Sequence, residues 1–247
     1  MKPRIAFFSA IIAMLISLAS AASVVLSGVP AYLEPKGCAS SAILSILGYY
    51  DFRYGATGLL PGIAVADIYL TSNVTVPLQN IALACNTDVS GNTDTGNIGP
   101  GLVNYAATVG YNFQVSMSGN VVPSNPHGSQ ISVTTAYDMV ATAITNNQPV
   151  LLRVDSNADG VADHLVPVFG YDPNYQELGK SFAFYTGNNE SETVISWLPF
   201  QAISVGVSYG VSNVAIVIPP TFVPEPSSAI IVLFLGTLMA FRHKRTA

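Results

Sequence analysis

Gly37-Cys38-Ala39-Ser40-Ser41-Ala42-Ile43-Leu44-Ser45-Ile46-Leu47-Gly48-Tyr49-Tyr50 is the stretch on which the fold turns. Ala42, Ile43, Ile46, Leu47 and Tyr50 recur at helical spacing, so the segment reads as a helix opening at Cys38. Gly48, near its end, is a modest defect. A cysteine at that opening is chemically placed. The helix dipole and the free N–H groups of the first turn lower a thiol pKa.

Outward from this helix the pattern changes twice. Asp51 to Gly62 is rich in turn residues, and Asn86 to Gly101 is a polar loop dense in Asn, Asp, Thr and Gly. Leu102 to Val109 reads as a short helix stopped at Gly110, and Tyr111 to Met117 alternates like a strand. Thr134 to Asn146 is a second amphipathic helix, with Tyr137, Val140, Ala141 and Ile144 on one side. From Pro149 onward strands take over: Val150 to Val154, Leu165 to Tyr171, Ser181 to Tyr185, Thr193 to Trp197, Ser204 to Ser208 and Val214 to Ile218. Helices early and an antiparallel sheet late is an α+β pattern, with the N-terminal helix packed on the sheet.

Sulfur nucleophiles need a thiolate beside a general base, usually His. The central region offers two cysteines, Cys38 and Cys85, and two histidines, His127 and His164. Cys85 follows Ile81-Ala82-Leu83-Ala84 and has the surroundings of a packing residue. His127 lies in the turn Pro126-His127-Gly128, where solvent is its expected partner. His164 begins a strand, which can hold an imidazole in a fixed place. Cys38 with His164 is the physically best pair. A disulfide between Cys38 and Cys85 stays open, because an oxidising compartment permits one.

Four stretches around these residues resemble motifs of the C39-like, papain-fold cysteine peptidases. Gly37-Cys38-Ala39-Ser40-Ser41, running into Leu47-Gly48-Tyr49-Tyr50-Asp51, looks like the family's nucleophile helix. His164-Leu165-Val166-Pro167-Val168-Phe169-Gly170-Tyr171-Asp172 looks like its His strand, and Gln148-Pro149-Val150-Leu151-Leu152 like the strand before it. Gly101-Leu102, Tyr105-Ala106 and Gly110-Tyr111 are similar to a further stretch of members with a Pro-Glu-Pro tail. The resemblance implies a papain-like fold, Cys38 as nucleophile, His164 as base, and a third residue orienting the imidazole. That residue should follow the next strand, in Tyr185-Thr186-Gly187-Asn188-Asn189, and Asn188 is the choice. The family's oxyanion-donating Gln, shortly before the Cys, has no counterpart between Val29 and Lys36. Tyr32 is the expected substitute donor, since an ionised Glu34 cannot donate.

A second constellation is Asp155-Ser156-Asn157-Ala158-Asp159-Gly160-Val161-Ala162-Asp163. Asp155, Asn157, Asp159 and Asp163 stand at loop positions 1, 3, 5 and 9, with Gly at position 6 and the Val161 carbonyl at position 7. This resembles the first part of an EF-hand loop and the Asp-rich calcium loops of extracellular proteins. Position 12 is Val166 rather than the bidentate Glu. The expectation is a structural calcium ion of modest affinity, in a loop that ends at His164.

The two ends read as addresses. Met1-Lys2-Pro3-Arg4, the apolar Ile5 to Leu18 and Ala19-Ser20-Ala21 have the order of a signal peptide, residues 1–21. Val223-Pro224-Glu225-Pro226, the apolar Ala229 to Phe241 and Arg242-His243-Lys244-Arg245 resemble the PEP-CTERM sorting signal of Gram-negative bacteria, residues 223–247. That resemblance implies processing by an exosortase as well as a signal peptidase, and membrane attachment through the C-terminal helix beforehand. It also implies a place in the cell envelope, on the outer surface or in the extracellular matrix. Residues 22–222 remain for one peptidase-like domain, enough for a sizeable core. Charged residues make up 9% of the chain and its net charge is −5, with several basic residues in the ends. An acidic domain excludes nucleic acid as a partner and suits cation binding. The expected function is hydrolysis of peptide or protein substrates through a Cys–His dyad or triad. The competing expectations are an inactive calcium-binding envelope or matrix protein of the same fold, and a transglutaminase-like acyl transferase using the same dyad.

Overall fold

The computed structural model describes residues 22–55, 58–64, 70–187 and 194–220. The expected signal peptide, the sorting tail and Asn188 lie outside the described residues.

Helix α1, Cys38–Tyr54, forms where the apolar spacing placed it and runs four residues past Tyr50. Its continuation occupies the start of the expected turn-rich stretch and ends at Gly55, whose φ of 61° is the left-handed conformation that terminates helices. Every residue from Ala39 to Asp51 is buried, so α1 is the axis of the core rather than a surface helix. The one carboxylate swallowed with it, Asp51, accepts the Leu59 N–H at 3.1 Å and so fixes the chain beyond the helix. Tyr50 reaches across the molecule, its hydroxyl donating to the Val217 carbonyl at 3.0 Å.

Two further helices follow. Helix α2, Thr75–Ala84, is an element that the sequence reading left unassigned. Helix α3, Thr95–Thr108, starts inside the stretch expected as loop, seven residues ahead of the expected helix at Leu102. Three glycines and Pro100 in its sequence hid it; Ile98, Leu102, Tyr105 and Ala106 are its buried face. Helix α4, Val133–Thr145, matches its expected amphipathic pattern and is capped by Ser132, which accepts from the Thr135 N–H at 3.1 Å.

The strands are β1 (Val24–Val25), β2 (Gln114–Met117), β3 (Val121–Val122), β4 (Ile131–Ser132), β5 (Val150–Asp155), β6 (His164–Tyr175), β7 (Gly179–Phe184), β8 (Ser196–Pro199) and β9 (Gly210–Ile218). Seven of them form one antiparallel sheet in the order β2-β9-β5-β6-β7-β8, with β1 also paired to β6. Strands β3 and β4 form a separate parallel pair. The expected strand at Ser204 to Ser208 is a turn, and only an isolated bridge joins Ala202 to Val211. Val207 accepts from Gly210 N and donates to Ser204 O there, closing the chain on itself before it can extend.

Helices α1 and α4 both pack on β6. Leu165 to Gly170 of that strand are all buried, so both of its faces are covered at its centre. The fold is α+β, with the N-terminal helix packed on an antiparallel sheet. Among the described residues no helix is long and apolar enough to cross a membrane.

Candidate active site

The site is built where the start of α1 meets the start of β6. Gly37 is the N-cap of α1, with φ 88° and ψ 158°, a conformation essentially confined to glycine. The segment ahead of it is tied to the first turn on two sides. Ser41 Oγ donates to the Leu33 carbonyl at 2.8 Å, and Ser40 Oγ donates to the Lys36 carbonyl at 2.9 Å. Cys38 is therefore presented on a fixed frame at the end of the helix.

His164 opens β6 opposite Val154 of β5. Its side chain is 14% exposed, and its ring meets Tyr209 edge-on at 6.3 Å between centroids. The Thr186 backbone, two residues after β7, favours the charged form of the imidazole. Cys38 and His164 line one narrow cleft of about 110 Å³, together with Asn92, Thr93, Arg153 and Asp163. The stretch around Gly91 to Thr95 forms its opposite wall. The pair singled out from the sequence is thus brought to one cavity. Cys85 and His127 are not there: Cys85 is buried against Gly101, and His127 is exposed. Both cysteines are free, so no disulfide forms between them.

Burial outweighs the lowering expected of a thiol at a helix start. Burial pushes the Cys38 thiol above its ordinary value; the Glu34 charge adds to this, against lowering contacts from the Leu165, Ala39 and Cys38 backbones. Burial pushes His164 below its ordinary value, opposed by Asp163 and the Thr186 backbone.

Tyr32 is not placed to hold an oxyanion. The residue is 2% exposed, and its hydroxyl lies against Gly48, where an added Cβ would stand 3.1 Å from it. Gly48 is ten residues along α1 from Cys38, about 15 Å of helical rise. The bulky ring follows the core, not the cleft. Glu34, dismissed as an oxyanion donor on the sequence, is the residue whose charge stands nearest the imidazole. Its Oε1 lies 3.6 Å from His164 Nε2, and burial raises its carboxyl to about 7. The signal was present as an acid four residues before the cysteine, in Glu34-Pro35-Lys36-Gly37-Cys38.

In the Asp155–Asp163 loop, Gly160 takes the positive φ (88°) expected at position 6. Asp155 accepts from the Asp159 and Gly160 N–H groups at 3.3 and 2.6 Å, Asn157 from Asp159 at 2.9 Å, and Asp159 from Val161 at 2.8 Å. Asp163 accepts from Ser156 N at 2.7 Å. The acidic side chains thus fold the loop through its own N–H groups. Among the described residues no three His, Cys, Asp or Glu side chains converge as a metal-holding group.

No protein-family model matches the chain. No curated protein matches it either. Among solved structures it is similar to active wild-type interpain A of Prevotella intermedia, at 12% identity and a TM-score of 0.46. The likeness spans 80% of this chain and 95% of that one. Interpain A is a cysteine protease.

Proposed function

We propose that the chain is an exported papain-like cysteine peptidase of the C39-like kind. The observation that carries the reading is that Cys38 and His164, from elements far apart in sequence, line the same cleft. In the reaction, the Cys38 thiol gives its proton to His164 while sulfur attacks the substrate's peptide carbonyl carbon. The oxyanion is held by the Cys38 backbone N–H at the start of α1. His164 then passes the proton to the leaving amine as the C–N bond breaks, leaving a thioester on Cys38. Water, deprotonated by His164, hydrolyses the thioester and restores the thiol.

The route to the cell surface in this proposal rests on the sequence of the ends: signal peptidase at residue 21, and an exosortase at the Pro-Glu-Pro motif of residues 223–247. Calcium at the Asp155–Asp163 loop belongs to the same proposal, as a weak structural ligand. The inactive calcium-binding envelope protein is the second reading, and the raised thiol pKa of Cys38 favours it.

Hydrolysis of a denatured, dye-quenched protein substrate by the full-length chain tests the choice. The peptidase reading expects cleavage that disappears in Cys38→Ala and His164→Ala and persists in Cys85→Ala. Cleavage unaffected by Cys38→Ala, or none under any condition, contradicts it. Transfer of a labelled amine into acceptor proteins, in place of hydrolysis, would assign the dyad to acyl transfer instead.

A further inference from the structure

We propose that Glu34 is the positioning residue of the Cys38–His164 pair, its carboxylate accepting the His164 Nε2 proton so that Nδ1 is left to take the proton of Cys38. The inference rests on the peptidase reading above and goes beyond it. The resemblance places the imidazole's partner after β7, whereas the carboxyl group 3.6 Å from His164 Nε2 comes from the segment ahead of the nucleophile; Asp163, the ring's sequence neighbour, is a second charge near it.

Three observations place it there. Glu34 Oε1 stands 3.6 Å from His164 Nε2, an ion-pair distance longer than a hydrogen bond. Such contacts in substrate-free sites commonly tighten when substrate is bound. The carboxyl group is backed by Gly187, in the turn after β7. A Cβ on Gly187 would run into the Glu34 carboxyl, so the turn yields its side-chain space to Glu34. The backbone of the segment is fixed on both sides of the glutamate: Leu33 N donates to Thr71 Oγ1 at 3.0 Å, and Gly37 N donates to the Glu34 carbonyl at 3.1 Å.

The chemistry follows from the two ring nitrogens. A neutral imidazole carries one proton, and its tautomer is set by the acceptor it meets. The Thr186 backbone offers the ring a neutral acceptor; Glu34 offers a charged one. While ionised, Glu34 fixes the proton on Nε2 and later steadies the imidazolium. Once protonated, it loses that hold. Burial raises the carboxyl to about 7, so the change falls in the neutral range. The titratable groups facing it are Cys38 on α1, His164 on β6 and Tyr209 just before β9.

The test compares full-length wild type, Glu34→Gln and Glu34→Ala in two ways. One is the pH profile of kcat/KM for peptide hydrolysis; the other is the ¹⁵N spectrum of the His164 imidazole at pH 8. Wild type should show kcat/KM rising through a step near pH 7. Glu34→Gln is uncharged at every pH, as protonated Glu34 is, so it should lose that step and stay at the low-pH level of wild type. Glu34→Ala should lose about 10–100-fold in kcat with little change in KM, and its imidazole proton should shift toward Nδ1. An unchanged step in Glu34→Gln together with an unmoved tautomer in Glu34→Ala overturns the proposal. Should hydrolysis prove independent of Cys38, the peptidase reading fails by that result. The tautomer measurement then decides on Glu34 alone: a shift in Glu34→Ala upholds its hold on the ring, and none overturns it.

Discussion

Gly37 and Gly91 meet backbone to backbone: a Cβ added to Gly91 would stand 3.2 Å from the Gly37 Cα, and one added to Gly37 would penetrate the Gly91 carbonyl. Both take positive φ, 88° and 87°. The turn that carries Gly91 is closed by Asp88, which accepts from the Ser90 and Asn92 N–H groups at 2.8 and 2.9 Å. This contact presses the far wall of the cleft onto the residue that caps α1. Any side chain at Gly37 therefore strains its own backbone and displaces the wall. Gly37→Ala is expected to destabilise the chain by about 2–4 kcal/mol, seen as a fall of roughly 5–15 °C in thermal melting. A variant melting with wild type would mean that the two backbones are not in contact.

The buried carboxyl of Glu34 makes stability depend on pH in a definite direction. Its folded pKa, about 7, lies above its unfolded value of 4.5. The folded state thus binds the proton more tightly between those values, and stability from this group is lost as pH rises from the lower to the higher. His164, lowered by burial, contributes the opposite slope through the imidazole range. Subtracting the melting curve of Glu34→Gln from that of wild type isolates the glutamate. The difference should fall steadily between pH 4.5 and 7 and be flat above about pH 8. A difference that is level across the window contradicts the burial of the carboxyl.

Tyr50 joins α1 to β9, its hydroxyl 3.0 Å from the Val217 carbonyl. Its ring lies edge-on to Phe113 at 5.5 Å. Tyr50→Phe keeps the ring and removes one buried hydrogen bond, which should cost about 1 kcal/mol in urea unfolding. Tyr50→Ala also opens a cavity and should cost about 3–5 kcal/mol. Equal costs for the two would show that the ring contributes nothing, against its complete burial.

The Asp155–Asp163 loop is shaped by its own carboxylates, whose oxygens already accept N–H groups. Calcium bound there as proposed would meet an ordered loop without the bidentate acid at position 12, which would put its affinity in the millimolar range of extracellular modules. Calcium at about ten times that dissociation constant should raise stability by about 1.4 kcal/mol, and Asp155→Asn should abolish the shift. Melting that is the same in calcium and in chelator removes the ion from the account.

Much of this was legible in the sequence, for reasons particular residues make plain. The helix at Cys38 declared itself because Ala42, Ile43, Ile46, Leu47 and Tyr50 lie at helical spacing, and β5, β6 and β9 because each holds a short apolar run, Val150–Leu152, Leu165–Phe169 and Val214–Ile218. Helix α3 was obscured by Gly96, Gly99, Gly101 and Pro100, whose low helix propensity is overridden by packing of Ile98 and Leu102 into the core. The pairing of Cys38 and His164 in one cleft followed from function-bearing residue types, but the direction of Tyr32 did not. A tyrosine near a nucleophile in sequence can point along the helix instead of toward its end, and only tertiary packing decides which. Glu34 was read only as a failed oxyanion donor for the same reason, since neither its burial nor Gly187 behind it leaves a local mark.

The most direct test of the central claim is covalent capture by a peptidyl electrophile, such as a peptide vinyl sulfone, mapped by mass spectrometry on the full-length chain. The account predicts one adduct on Cys38, none on Cys85, and loss of the adduct in His164→Ala. Equal labelling of Cys38 with and without His164, or labelling of neither cysteine, would contradict it.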